Sequence, residues 1–107
     1  MKYKIMRLFC MFDVPMETKE EQRAYRVFRK ALLSEGFVMM QYSIYVRVCP
    51  SREYANRLQE RIKKIVPICG NVRLLCVTEK QYEEMKLLVG NRSNRKIAIG
   101  TERLLII

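Results

Sequence analysis

Asp13 occupies a position where a carboxylate could do chemistry. It ends a mostly apolar run that begins near Lys4, and it stands directly before the turn-forming pair Val14-Pro15. Two such carboxylates brought together across a twofold axis would repel each other unless one were protonated or a cation lay between them. Mg²⁺ suits such a place, since it binds one or two carboxylates, retains several waters and can activate one against a phosphodiester. The alternative is that Asp13 only ends a strand and hydrogen-bonds the turn.

Histidine is missing from all 107 residues. Its absence excludes Ser-His-Asp and Cys-His triads, two-His zinc motifs and imidazole acid–base catalysis. The four cysteines, Cys10, Cys49, Cys69 and Cys76, contain no C-x-x-C pair. We therefore expect reduced thiols, with Cys10 and Cys76 packed as small hydrophobes. Any catalysis must then depend on carboxylates, a hard metal ion or bound water.

The net charge of +10, from 21 Lys and Arg against 11 Asp and Glu, attracts nucleic acid, anionic membrane or acidic protein. Arg23, Arg26 and Lys30 are three and four residues apart, so they share one face of a predicted helix. A second basic group, without an acidic residue, lies nearer the C-terminus and consists of Arg92, Arg95 and Lys96. Both groups are candidate phosphate-binding surfaces. The alternative is ordinary solvated surface whose charge serves solubility.

Two tyrosines, Tyr42 and Tyr45, could stack on nucleobases, although the strand propensity of tyrosine also accounts for them. The sequence contains no helix-turn-helix and no RNP-type aromatic motif. We therefore do not expect base-specific recognition.

The elements that position these residues follow from hydrophobic periodicity and capping signals. Thr18 with Glu21, and Thr78 with Gln81, predict capping boxes at the start of two helices, and Ser51 predicts the cap of another. The predicted strands are 4–13, 37–40, 43–49 and 72–77. The predicted helices run from Thr18 to a stop at Gly36, from 52 to 65, and from Thr78 to near Gly90. Their expected buried stripes are Ala24, Val27, Phe28, Ala31 and Leu32 in the first helix, and Ala55, Leu58, Ile62 and Ile65 in the second.

This order, β-α-β-β-α-β with an extra short helix and a C-terminal strand, is α+β and ferredoxin-like, with both long helices on one face of an antiparallel sheet. The other face would be apolar and uncovered, through Ile5, Phe9, Met11, Leu75 and Val77. Packing two such faces across a twofold axis would bury them, so we expect a homodimer in which the two Asp13 carboxylates approach each other.

The chain divides into a ferredoxin-like domain over 1–90 and a basic linker with a C-terminal strand over 91–107. The final run of Leu104, Leu105, Ile106 and Ile107 is expected to add an edge strand, exchanged with a second subunit or docked on a partner. No apolar run is long enough to span a membrane, and the N-terminus lacks a secretion signal. We therefore expect a cytoplasmic protein.

Four segments resemble the small CRISPR-associated adaptation protein family, a ferredoxin-like dimer described as an endoribonuclease. They are Met-Phe-Asp-Val-Pro at 11–15, Leu-Ser-Glu-Gly-Phe at 33–37, Gln-Tyr-Ser-Ile-Tyr at 41–45, and Val-Thr-Glu-Lys-Gln-Tyr at 77–82, the last resembling type II systems in particular. The likeness covers about residues 1–100. It implies a homodimer that bridges two dimers of the CRISPR integrase and supports the duplex of a captured DNA fragment.

The resemblance also implies a metal-dependent nuclease acting on RNA or DNA in some members, with the strand-end aspartate, here Asp13, as the metal ligand. The nearest matches to the family's basic residues are Arg23 and Arg26. The segment after Gly90 is the family's variable part, so a DNA contact by Arg92, Arg95 and Lys96 depends on charge alone.

Two functions therefore compete: a non-catalytic scaffold that binds duplex DNA, and a magnesium-dependent nuclease. We favour the scaffold, because one carboxylate per subunit without histidine is a sparse catalytic set. A third interpretation, a basic protein-interaction module, would show no duplex binding at physiological salt.

Overall fold

A four-stranded antiparallel sheet forms the centre of the structure, a computed structural model that describes residues 4–90. The strands are β1 (Met6–Asp13), β2 (Val38–Gln41), β3 (Ile44–Cys49) and β4 (Asn71–Thr78), and the helices are α1 (Lys19–Ser34), α2 (Arg52–Lys63) and α3 (Glu79–Glu83). Their order across the sheet is β2-β3-β1-β4. The predicted α+β, ferredoxin-like fold is confirmed. The predicted C-terminal strand and the basic segment before it lie outside the described residues.

The long helices α1 and α2 lie together on one face of the sheet. From β1 the core takes Met6, Leu8, Cys10 and Phe12, which alternate with the residues of the opposite face. The helices supply the other side of the core through Phe28, Leu32, Ala55, Leu58 and Ile62. Because this core crosses the centre of β1, it fixes the strand whose last residue is Asp13.

Two details of the predicted helix stripes are wrong. In α1 Phe28 and Leu32 are buried, but Val27 is 59% exposed and Ala24 is also exposed. Tyr25 takes the inward position instead, with its ring 5.8 Å from that of Phe12. In the second helix the stripe ends at Ile62, since α2 stops at Lys63 and leaves Ile65 exposed.

Each predicted helix cap is present. The Thr18 and Thr78 hydroxyls accept hydrogen bonds from the backbone N–H groups of Glu21 and Gln81 at 3.0 and 3.1 Å, and both boxes are closed by the reciprocal side-chain bond. The Ser51 hydroxyl accepts from the backbone of Tyr54 at 3.1 Å. These short local signals therefore fix where all three helices begin.

Gly36 ends the first helix in the left-handed conformation, with φ +92°, as its sequence position predicts. A Cβ at this position would lie 2.5 Å from Arg47 Nε. The Arg47 side chain uses that space to donate to the Glu35 carbonyl at 2.9 Å and to the Tyr54 hydroxyl at 2.7 Å. One half-buried arginine therefore ties the end of α1 to β3 and α2.

The third helix is shorter than the sequence predicts, because α3 ends at Glu83 rather than near Gly90. The apolar residues that follow include Leu87, Leu88 and Val89 in succession, so a helix there could not turn them all to one side. All three are exposed in the structure.

The outer sheet face, which we define as the side of the sheet opposite α1 and α2, is partly covered by α3. The Tyr82 ring lies 6.0 Å from that of Phe9, which is only 6% exposed. Arg7 packs 4.0 Å above the Tyr82 ring and forms a two-point ion pair with Glu79, at 2.8 and 3.0 Å. The expectation of a fully uncovered face was therefore wrong.

An apolar strip of the outer sheet face stays exposed beyond the reach of α3. It consists of Val38, Val48 and Leu75, the last 51% exposed. The register places Leu75 beside Phe9 on β1, with Val46 on the other side. Within residues 4–90 no helix is long and apolar enough to cross a membrane.

Candidate nucleic-acid interface

Asp13 is the last residue of β1 and is exposed. It pairs with Asn71 of β4, and strand alternation places it on the outer sheet face with Phe9 and Met11. The loop before β4 approaches closely here: a Cβ on Gly70, which has φ +97°, would lie 2.7 Å from the Asp13 carbonyl oxygen. The backbone of Asp13 is therefore held by its pairing with β4 and by the close approach of a glycine that other residues replace only with strain.

The Asp13 carboxylate takes part in no hydrogen bond or ion pair with any residue between 4 and 90. The alternative expectation, that the Asp13 side chain hydrogen-bonds the turn at Val14-Pro15, is therefore wrong. Asp13 instead lines a small pocket of about 170 Å³. The other residues of this pocket, called the Asp13 pocket below, are Phe12, Val14, Met16, Tyr25, Tyr42 and Ser43.

The part of the chain that the structure describes contains no cluster of three or more metal-ligating side chains. Mg²⁺ does not require one, because it commonly binds through one or two carboxylates and keeps its remaining waters. An exposed carboxylate without a cationic partner fits that role as a single ligand. A second Asp13 from another copy would complete the two-carboxylate arrangement.

The basic face of α1 consists of Arg23, Arg26 and Lys30, all exposed. None of the three forms an ion pair with a carboxylate of the described residues. Other cations do: Arg7, Arg61 and Lys63 pair with Glu79, Glu35 and Glu60 at 2.8 to 2.9 Å. The α1 cations are therefore available to an external anion. They do not line the Asp13 pocket, which touches α1 only through Tyr25.

The two candidate stacking residues have different surroundings. Tyr45 is fully buried, lies 5.5 Å from Phe12 in a stacked arrangement, and accepts a hydrogen bond from Arg29 Nε at 2.7 Å. It is a core residue. Tyr42, at the β2–β3 turn, is 77% exposed and remains available to a ligand.

Arg29 is a residue that the sequence reasoning missed. It lies one helical turn after Tyr25, on the side of α1 that faces the sheet, whereas the basic face of α1 points away. The i to i+4 spacing of Tyr25 and Arg29 was the available signal that both lie on one side of α1. Only the fold shows that Tyr45 comes within hydrogen-bonding distance of Arg29. The other sequence candidates, Arg92, Arg95, Lys96 and residues 104–107, lie outside the described residues.

Comparison with known proteins finds a family, and several relatives, to which this chain is similar. Residues 6–85 match the model of the family described as CRISPR associated protein Cas2. A protein of Ligilactobacillus salivarius is 45% identical over 102 residues, which cover 95% of this chain and all of that protein. A protein of Lacticaseibacillus rhamnosus is 49% identical over 85 residues, 79% of this chain and 84% of its own length. One of Streptococcus mutans is 44% identical over 102 residues, 95% of this chain and 93% of its own length. All three relatives are called CRISPR-associated endoribonuclease Cas2.

Proposed function

This chain belongs to the Cas2 family, and we propose that it acts in CRISPR adaptation as a dimeric scaffold that holds double-stranded DNA through its phosphates. The observation that carries the proposal is the basic face of α1, where three exposed cations have no carboxylate partner among residues 4–90. A cation that is already paired gains little from a phosphate, whereas an unpaired one binds it and releases counterions.

The geometry of α1 suits contact with a duplex backbone. Arg23 and Lys30 are seven residues apart, about 10 Å along the helix axis, with Arg26 between them on the same side. Each arginine can bind two phosphate oxygens through its planar guanidinium, and Lys30 adds a point charge. Phosphate contacts position a protein on DNA without reading its sequence. Binding of this kind suits a protein that must hold DNA fragments of any sequence.

A second copy would complete the scaffold. The exposed apolar strip of Val38, Val48 and Leu75 supports a dimer that packs through the outer sheet faces, leaving the basic faces of both α1 helices on the outside. We extend the proposal to the C-terminal segment: Arg92, Arg95 and Lys96 add phosphate contacts, and residues 104–107 dock on the second subunit or on the CRISPR integrase. We extend the proposal to the location of the protein as well: a scaffold for captured DNA would act in the cytoplasm.

The second candidate function is a magnesium-dependent endonuclease that cleaves RNA or DNA, as the relatives' name suggests. The carboxylate of Asp13 at the end of β1, which is exposed and has no ion-pair partner among residues 4–90, supports it. Asp13 of each subunit would hold the ion, which when bound supplies an activated water and stabilises charge on the phosphate. No second acid lines the Asp13 pocket, and the sequence has no histidine to move a proton, so the scaffold remains our preferred function.

A paired assay of the Asp13→Asn variant separates the two functions. It measures cleavage of RNA and DNA in vitro, with magnesium and with a chelator, and spacer acquisition in cells. The scaffold predicts unchanged acquisition whatever happens to cleavage, because asparagine keeps the shape of the side chain. Glu20→Gln, at another exposed carboxylate, is the matched control. Loss of acquisition together with cleavage, with duplex binding retained, would show that the catalytic function is the biological one.

A further inference from the structure

Tyr42 is an exposed aromatic residue at the rim of the Asp13 pocket, and no packing role in the core accounts for it. The turn that carries it is well anchored. Ser43 adopts the left-handed conformation with φ +66°, and its carbonyl accepts a hydrogen bond from the Phe12 backbone at 3.1 Å. The backbone of the turn that carries Tyr42 is therefore held beside the end of β1.

The shape of the Asp13 pocket limits what can bind there. Its volume of about 170 Å³ is below the roughly 300 to 1,000 Å³ of pockets for drug-sized ligands, so it accommodates one small group. Val14 and Met16 give it apolar walls, Tyr25 and Tyr42 give it aromatic walls, and Asp13 and Ser43 add polar groups. A flat ring with polar groups at its edge matches these walls.

A cation lies close to this pocket. Arg29 follows Tyr25 by one turn of α1 and donates to the Tyr45 hydroxyl at 2.7 Å. The rings of Tyr25 and Tyr45 both pack against Phe12 of the pocket, at 5.8 and 5.5 Å. Arg29 uses Nε for its bond to Tyr45. Its two terminal nitrogens form no hydrogen bond with the described residues, so they can donate to a phosphate.

We propose that the Asp13 pocket binds one unpaired nucleobase of DNA, stacked on Tyr42, with the adjoining phosphate on Arg29. This inference deepens the proposed nucleic-acid function and depends on it. A nucleotide combines the flat ring with polar edge groups and the attached phosphate that the pocket and Arg29 suit, and stacking on an aromatic side chain does not depend on base identity. Asp13 would then lie beside an unpaired nucleotide rather than beside paired DNA.

The test compares two DNA duplexes of the same sequence, one blunt and one with a single unpaired nucleotide at each end. Titration by fluorescence anisotropy is expected to show tighter binding of the second duplex. Tyr42→Ala should weaken that binding by at least about fivefold, the low end of what one stacked base contributes, and leave blunt-duplex binding unchanged. Tyr42→Phe, which keeps the aromatic ring, should bind the duplex with unpaired nucleotides as tightly as the wild type does. Met39→Ala, an exposed apolar residue of the same hairpin, is the matched control.

An abasic residue at the unpaired position removes the base and keeps the phosphate, so it should reproduce the loss seen in Tyr42→Ala. A photoreactive 5-iodouracil at that position should crosslink to Tyr42 or Tyr25, as mapped by mass spectrometry. Equal binding of the overhang duplex by the wild type and by Tyr42→Ala, or crosslinks only at other residues, would overturn the inference.

If the proposed scaffold function is wrong, the duplex titrations give a different result. If the blunt duplex does not bind at all, the same comparison of variants is made with a single-stranded oligonucleotide and its abasic counterpart. Dependence on Tyr42 and on the base would still support the pocket, and independence of both would overturn it.

Discussion

The four cysteine thiols differ in reactivity because the fold buries them to different depths. Burial raises the pKa of Cys10 to about 12, and it also raises those of Cys49 and Cys76. Cys69, in the loop before β4, is exposed. Since the thiolate is the reactive form, alkylation with iodoacetamide near pH 8 should label Cys69 first and Cys10 last. Peptide mass spectrometry over time measures the order.

The unfolded protein is the control, because all four thiols should then react at similar rates. Labelling of Cys10 as fast as Cys69 in the folded protein would contradict the burial of β1 beneath α1 and α2.

The residue types and their order in the sequence predict candidate site residues, but they do not predict the partners to which those residues bind. The position of Asp13 at the end of an apolar strand can be predicted from the order of residues alone. The bond between Arg29 and Tyr45 cannot, because it joins a helix to a strand 16 residues away in the chain, and only the fold brings them together. The same limit explains why Tyr42 and Tyr45 were equivalent in the sequence and differ in the structure.

At the scale of elements, the ion pair between Arg7 and Glu79 fixes α3 on the outer sheet face. The hydrogen bond from Arg7 lowers the pKa of Glu79 below its ordinary 4.5. A carboxylate whose pKa is lowered by folding stabilises the fold when it is ionised, and it loses that contribution as the pH falls through the folded-state pKa. Glu79→Gln should therefore reduce the free energy of unfolding at pH 7, by no more than about 1 kcal/mol because the pair is partly solvated.

Urea unfolding at pH 7 and at pH 3 measures this contribution. The difference between Glu79→Gln and the wild type should shrink at pH 3, because the carboxyl becomes increasingly protonated as the pH falls through its folded-state pKa. Glu84→Gln, at an exposed carboxylate just beyond α3, is the control. A difference of equal size at both pH values would assign the effect to packing rather than to charge.

The start or end of a helix can be predicted from the sequence when the residues that determine it lie close together in the chain. The capping boxes at Thr18 and Thr78 act within four residues, so both were predicted from the sequence and both are present. The extent of α3 depends on whether residues after Glu83 find an apolar surface to pack on. No local pattern contains that information, and the helix was predicted too long.

At the scale of the whole molecule, the exposed strip of the outer sheet face predicts a dimer. Leu75→Asp places a charge on that strip, and in a symmetric interface the two like charges would repel each other. We expect the variant to be monomeric at concentrations where the wild type is dimeric, as measured by analytical ultracentrifugation. Its own fold should persist, because Leu75 is half exposed in the single chain.

Ile68→Asp is the matched control, since Ile68 is fully exposed in the loop between α2 and β4 and lies away from the outer sheet face. A Leu75→Asp variant that stays dimeric, or a wild type that is monomeric throughout, would contradict packing through this face.

The sequence predicted an apolar outer sheet face because strand alternation reveals both sides of β1. It did not predict that α3 folds back over part of that face, since this depends on long-range contacts of Tyr82 and Glu79 with Phe9 and Arg7. The surface available to a second copy is consequently narrower than the sequence indicated, and it is centred on Leu75 and Val48 rather than on Phe9.

The central claim, that the basic face of α1 holds DNA phosphates, is tested most directly by the salt dependence of duplex binding. The measurement titrates a blunt duplex with the wild type, with a triple variant (Arg23→Ala, Arg26→Ala and Lys30→Ala), and with a control of equal charge loss on α2 and at the residue after it (Arg57→Ala, Lys63→Ala and Lys64→Ala). We predict that affinity depends less steeply on salt in the triple variant. The magnitude of the slope of log affinity against log salt concentration should fall by about 0.9 per lost phosphate contact, or about 2.7 for the three contacts of one chain. The α2 control should change it much less. Equal slopes for the triple variant and the wild type, or an equal loss in the control, would contradict the account.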